Sequence, residues 1–198
     1  MKRPLLLAFA GLLVGVVLAP FASSAFSFRG DPIVLTGTKQ SLRVVYFGGD
    51  GVSSEYALEF GQPAWKPEYD QSFDAMTLGK RIRFGKDWWS TFSNFGDVEI
   101  GKKKIKGGIW YLALERSKKG DFGLVFLDAA EMHKQSMDPF TSAKTAGGTV
   151  VPLEYAKAAD SASELRITIE PVEGSQLEQT WTIHWGPHLL KANVKARG

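Results

Sequence analysis

The chain has 198 residues, with 24 Lys and Arg against 21 Asp and Glu, a formal charge of +3, 44% hydrophobic and 12% aromatic residues, and no cysteine. That apolar content excludes a disordered chain, and the missing cysteine excludes disulfides and thiolate metal sites. A charge so near neutral lacks the basic excess of a nucleic-acid binder, so no nucleic acid is expected as a partner.

The first residues read as an export signal. Lys2 and Arg3 form a positive head, residues 5–19 an uncharged and mostly apolar run, and residues 20–25 a small-residue tail. Ser23 and Ala25 stand where a signal peptidase accepts small side chains, so cleavage after Ala25 is expected, with a periplasmic or extracellular product. The apolar run is shorter than the roughly 20 residues that cross a bilayer comfortably. Membrane attachment is therefore expected only if this segment stays uncleaved as an anchor. Removing 25 of the 198 residues leaves 173 and takes Lys2 and Arg3, lowering the charge from +3 to +1. A chain of that size suits one domain with one core.

Residues 26–53 form a lead-in and the first strands, with Ile33-Val34-Leu35 expected as a short edge strand. Residues 42–47 and 54–60 are apolar, β-branched or aromatic runs flanking Gly48-Gly49-Asp50-Gly51, which reads as a hairpin. No Gly-Lys-Ser/Thr signature and no helical pattern follow, so these glycines serve a turn, not a phosphate loop. Pro63 and Pro67 around Trp65 make residues 61–74 a rigid surface loop. Strands are expected at 81–84, 88–95 and 98–100, then a solvated lysine-rich turn from Gly101 to Gly107-Gly108.

Residues 109–114 and 122–127 are apolar on both alternating faces, as in strands at a sheet centre. Residues 129–137 form the one passable helical stretch, ended at Asp138-Pro139. Strands follow at 150–155, 165–172 and 177–185. If Gly186-Pro187 turns the chain, Trp181, Ile183 and Trp185 share a face with Leu190, Ala192 and Val194, which predicts a closing hairpin. About ten short strands with turn signals every 8 to 12 residues predict an all-β fold: a single antiparallel β-sandwich, jelly-roll-like, over residues 54–198.

Catalytic motifs are missing from the sequence. There is no Gly-x-Ser-x-Gly elbow. His133 lies far along the chain from His184 and His188, which the hairpin would set on opposite faces, so no metal and no cofactor is expected. Asp70, Asp74, Asp87 and Glu59 could supply a carboxylate pair, but no spacing selects two of them. The densest cluster of unusual residues is Arg81, Arg83, Lys86, Asp87, Trp88 and Trp89. Arginines alternating with Ile82 and Phe84 put two guanidiniums on one face. Of two adjacent tryptophans in a strand, one points outward, where sugars and cations stack. These six residues are the ligand-binding candidates.

The stretches Tyr56-Ala57-Leu58-Glu59-Phe60-Gly61-Gln62-Pro63, Gly79-Lys80-Arg81-Ile82-Arg83-Phe84-Gly85 and Val98-Glu99-Ile100-Gly101-Lys102-Lys103-Lys104-Ile105-Lys106-Gly107-Gly108-Ile109-Trp110-Tyr111, with Trp181-Thr182-Ile183-His184-Trp185-Gly186 near the end, occur in that order. Together they resemble the exported bacterial family called domain of unknown function 2911. That family's central motif, Trp-Arg-Thr-Gly-Ala-Asn-Glu, is matched here at Arg83 and Gly85, while Asp87-Trp88 stands in place of its Asn-Glu pair. The resemblance implies export and a β-rich fold, and no particular reaction. The expected function is a non-catalytic module binding a polar or carbohydrate-like ligand or an envelope component. The alternatives are an envelope hydrolase built on Asp70, Asp87, Glu59 or His184, and a purely structural interaction module.

Overall fold

The computed structural model describes residues 37–48, 51–141 and 145–196. The expected export signal and the edge strand expected at Ile33-Val34-Leu35 lie outside the described residues. Ten strands and two short helices follow in the order β1 (Lys39–Gly48), β2 (Gly51–Gly61), α1 (Tyr69–Thr77), β3 (Lys80–Arg83), β4 (Thr91–Phe95), β5 (Val98–Ile100), β6 (Lys103–Ile105), β7 (Gly108–Arg116), β8 (Phe122–Asp128), α2 (Ala129–Lys134), β9 (Thr149–Pro171) and β10 (Glu178–Ala196). All pairings are antiparallel. They form one open sheet in the order β1-β2-β4-β7-β8-β9-β10-β5-β6, with β3 also on β7.

The two layers of this all-β fold are the halves of that one sheet. β9 joins them: its first residues pair with β8, and residues 154–157 and 166–171 of the same 23-residue strand pair with β10. Across the gap, Tyr56 of β2 and Phe92 of β4 lie 5.7 and 5.6 Å from the Trp181 ring of β10. Around this contact, Leu58, Phe60, Leu112, Leu124, Phe126, Ile167 and Ile183 close a main core. Burying so many large apolar side chains on the inner faces is what offsets chain entropy in a fold without disulfides. Tyr56 Oη accepts from Trp181 Nε1 at 3.1 Å and donates to Gln179 Oε1 at 3.2 Å, while Tyr46 Oη donates to the same oxygen. The buried polar atoms of this layer contact are thus paired with each other.

A smaller cluster lies on the opposite face of β7 and β8. Trp89, Ala113, Val125, Leu127 and Met132 are buried there under α2, which is N-capped by the Asp128 side chain accepting from Glu131 N. This second layer of apolar cover explains why 109–114 and 122–127 are apolar on both alternating faces.

Five expectations require correction. The strand expected at 88–95 begins only at Thr91, so Trp88 and Trp89 lie in the chain between β3 and β4. The loop at 61–74 runs into α1, whose Tyr69 and Phe73, four residues apart, lie on one helical face. The lysine-rich turn is only Gly101-Lys102; Lys103 and Lys104 belong to β6 and pair with Ile100 and Glu99. The strands at 150–155 and 165–172 are one strand, β9. Lastly, β10 runs unbroken through Gly186-Pro187, so no hairpin closes there. The grouping of Trp181 and Ile183 with Leu190, Ala192 and Val194 on the inner face nevertheless holds, because a register shift at Gly186 changes the alternation.

Candidate functional site

β3 and β4 both pair with β7, end to end, at Arg83↔Ala113 and Thr91↔Tyr111. The residues between them are therefore extruded as a bulge that carries most of the sequence candidates. Ser90 Oγ donates to Phe84 O at 2.7 Å and Leu112 N to Ser90 O at 2.9 Å, which staples the bulge shut. Gly85 sits at a φ of 81°, and a Cβ there would meet Ser90 Oγ at 2.4 Å. Only glycine fits this corner.

The six candidates divide. Arg81 is occupied: its guanidinium holds Glu115 Oε2 at 2.7 Å and donates to the carbonyls of Thr145 and Gly147 at 2.8 and 2.9 Å. Trp89 is 2% exposed and stacks on Tyr111 at 4.8 Å, the rings nearly parallel. Trp88 is 41% exposed and meets Phe140 edge-on at 6.3 Å. The Arg83 guanidinium lies 4.9 Å from the centre of the same Phe140 ring and donates to Asp87 O at 3.2 Å. Lys86 is half-buried and its backbone N–H donates to Gly61 O. Asp87 has a φ of 67°, and its Oδ2 is buried without a hydrogen-bond partner among the described residues. The bulge thus brings Arg83, Asp87 and Trp88 together with Phe140 and takes Arg81 and Trp89 out of reach of solvent ligands.

A second site lies at the same end of the molecule. Beneath α1, between the two halves of the sheet, is a cavity of about 290 Å³. Its wall includes Tyr69 and Phe73 of α1, Ile82 and Arg83 of β3, Leu114 of β7, and Ile183, Trp185 and His188 of β10. Trp65 organises the rim. Its ring lies 4.8 Å from Trp185, 5.5 Å from Tyr69 and 5.4 Å from His188. Its Nε1 donates to Asp70 Oδ1 at 3.1 Å, and its backbone N–H donates to Ser163 O. The ring can sit there because residue 186 is glycine: a Cβ at that position would lie 2.2 Å from Trp65 Cδ2.

His188 shares this wall with two other ionisable side chains, Arg83 and Tyr69. Its ring stacks on Phe73 at 3.7 Å and its Nδ1 is 3.0 Å from Tyr155 Oη. Burial, reinforced by the cations Lys157 and Arg116, pushes its pKa down to about 4, so the imidazole is neutral near pH 7. Arg116 clamps α1 from below: it donates to Asp74 Oδ1 at 2.5 Å and Thr77 Oγ1 at 3.1 Å, and lies over Phe122 at 4.8 Å. Its hydrogen bond and charge hold the Asp74 carboxyl below its usual range.

None of the catalytic candidates shares this wall. Glu59 lies exposed between buried Leu58 and Phe60 on β2, His184 alternates with buried Ile183 on β10, Asp70 serves Trp65, and Asp87 sits in the bulge. Among the described residues no three of His, Asp and Glu group to hold a metal ion. The larger groove between β5 and β10 is lined by cations and carboxylates such as Lys195 and Glu178, which pair with each other at 2.7 Å. It lacks the apolar enclosure that typifies small-molecule sites.

Sequence reasoning missed Trp65, Tyr69, Phe73, Trp185 and His188 as a group. The available signal was the spacing of Tyr69 and Phe73 after Pro67, with Asp70 in the first turn, which together fit a short helix. No family model matches the chain, and no curated protein or solved structure does either.

Proposed function

We propose that the protein is an exported, non-catalytic binding module that holds a small, largely apolar ligand with one polar end in the cavity beneath α1. The observation that carries this reading is the wall itself: mostly aromatic and aliphatic side chains around about 290 Å³, with a neutral His188, beside Arg83 and Tyr69, able to make a directed hydrogen bond. An engineered apolar cavity of about 150 Å³ stays dry and takes benzene, so this space suits roughly a dozen non-hydrogen atoms. With Nδ1 engaged by Tyr155, His188 has Nε2 left for a hydroxyl or carbonyl on the ligand. The head, apolar run and small-residue tail of residues 2–25 support export, and an envelope source for the ligand is in keeping with it.

Thermal-shift screening of the protein against medium-chain alcohols and acids, aromatic alcohols and sugars tests this. Apolar compounds raise Tm, and Leu114→Trp, which fills the cavity, removes the shift while leaving the protein folded. A protein stabilised by sugars and by no apolar compound would overturn it.

A second reading rests on its own observation. The exposed Trp88, with Phe140 and Arg83 beside it, favours a polar or carbohydrate-like ligand stacked on the bulge. It predicts that Trp88→Ala abolishes sugar binding and leaves binding of apolar compounds unchanged.

A further inference from the structure

The walls of the cavity beneath α1 differ in what it takes to move them. Most are hydrogen-bonded sheet: β3 and β8 are paired with β7, and β10 with β9. Parting any of these strands breaks a backbone ladder. Phe84 and Gly85 contribute from the bulge that Ser90 staples shut. The segment from Pro63 to Trp65 is fixed to β9, with Leu165 N donating to Pro63 O at 3.0 Å and Trp65 N to Ser163 O at 2.7 Å. The remaining wall is α1, which supplies Tyr69 and Phe73.

Among the described residues the backbone of α1 makes no hydrogen bond to a strand. Its turn bonds, Tyr69 N to Lys66 O, Asp70 N to Pro67 O and Leu78 N to Asp74 O, stay inside residues 66–78. Contacts through side chains hold the helix down. Asp74 accepts from Arg116 Nη1 at 2.5 Å, Asp70 from Trp65 Nε1 at 3.1 Å, and Ala75 O from Lys80 Nζ at 2.6 Å. Thr77 Oγ1 accepts from Arg116, and the Phe73 ring lies on His188. The Asp74 side chain is 75% exposed, and an ion pair so open to water is a weak tie. Glu68 gives the first turn no side-chain cap, and Gly79, at a φ of 69°, follows the last turn as a residue free to change its backbone angles.

Resting on the reading that this cavity holds a ligand, we propose that α1 is its door: the helix swings out as one body about Gly79, and the contacts of Asp70 and Asp74 are the latches that set how often it opens. Opening uncovers Ile183 and Leu114 while the ladders on every other side stay intact, which makes it a local event and not global unfolding. Burial of Phe73, 6% exposed when the door is shut, returns the helix to its seat. A ligand in the cavity adds contacts to the closed position only, so it holds the door shut behind it.

The chain contains no cysteine, so one introduced thiol reports access to one place. Ile183→Cys puts it in the cavity wall, and Val125→Cys, 0% exposed in the cluster under α2, serves as the control. The rate of reaction with a soluble aromatic disulfide is measured for each, with urea denaturation of each variant used to subtract the share that comes from global unfolding. The thiol at 183 is expected to react at least about tenfold faster than that at 125. Asp74→Ala, which removes a latch and keeps a good helix former in place, speeds the reaction at 183 about threefold and leaves 125 unchanged. Asp70→Ala does the same from the other latch, so the test does not depend on one variant. Saturating decanol slows the reaction at 183. Equal corrected rates at 183 and 125 would overturn the door, as would a rate at 183 that neither alanine variant changes. The two readings fail separately. If the alanine variants speed labelling and decanol does not slow it, the door stands and the ligand is lost; if decanol slows labelling and the variants change nothing, the ligand stands and the door is lost.

Discussion

His188 stands where burial and the cations Lys157 and Arg116 oppose its protonation, so its pKa falls from 6.5 to about 4 on folding. Above 6.5 both folded and unfolded chains are neutral at this site, and the preference for the neutral ring is fully expressed. As pH falls through 6.5 towards 4 the unfolded chain takes up a proton that the folded chain refuses, so stability declines in that window. The measurement is the difference in Tm between the wild-type protein and His188→Gln: it narrows from pH 7 to pH 4 and is constant below. Subtracting the variant removes the carboxylates, including Asp74, whose depressed pKa makes its own contribution disappear only at lower pH.

Two further side chains have sharp consequences. Gly186→Ala puts a methyl into the Trp65 ring at a φ of 57°, so the ring must leave, and a loss of about 2–4 kcal/mol is expected in urea denaturation. Tyr56→Phe strands the indole N–H of Trp181, which is 1% exposed, at about 1–3 kcal/mol. Both positions lay in quoted sequence stretches, yet neither role was legible. A glycine's reason for being glycine is the neighbour that crosses it, and Trp65 is far from residue 186 along the chain.

At the scale of elements, local pattern and long-range pairing diverge. The β1–β2 hairpin and the strands β5, β7 and β8 follow from runs of apolar residues bounded by glycine, and α2 from its short helical pattern before Asp138-Pro139. What could not be read is continuity: β9 and β10 each run on past their local turn signals because they pair with each other on both sides of Gly186, across two register shifts, and pairing partners override local turn signals. The β3–β4 bulge is similar. Trp88 and Trp89 look like strand residues, and the alternation argument correctly sends one inward and one outward, but they belong to a loop held by Ser90. Arg81 shows how the bulge is anchored. Its contacts to Glu115 and to the carbonyls of Thr145 and Gly147 tie β3 to the segment before β9. Arg81→Ala is expected to cost about 1–3 kcal/mol and to speed amide exchange around residues 145–148 more than elsewhere.

On the scale of the whole molecule, one sheet folded over itself produces two unlike ends. One end closes over a cavity with aromatic residues from α1, β10 and the Trp65 loop, and the bulge of β3–β4 lies beside it. The other end tapers to the hairpin of Phe47 and Val52 and the strand ends at Phe95 and Ile109. The proposal of ligand binding lives on the first end. The all-β class and the number of strands were available from apolar periodicity, but a cavity is a property of how two halves of a sheet meet, which no single stretch encodes.

Methyl-resolved NMR of the protein titrated with a medium-chain alcohol such as decanol tests the cavity reading most directly. The account predicts saturable shifts confined to the methyls of Ile82, Leu114, Leu165, Ile183 and Leu190, together with the ring protons of His188, and their loss in Leu114→Trp. Shifts that centre on Phe140 and Trp88, or that fail to saturate anywhere in the protein, would contradict it.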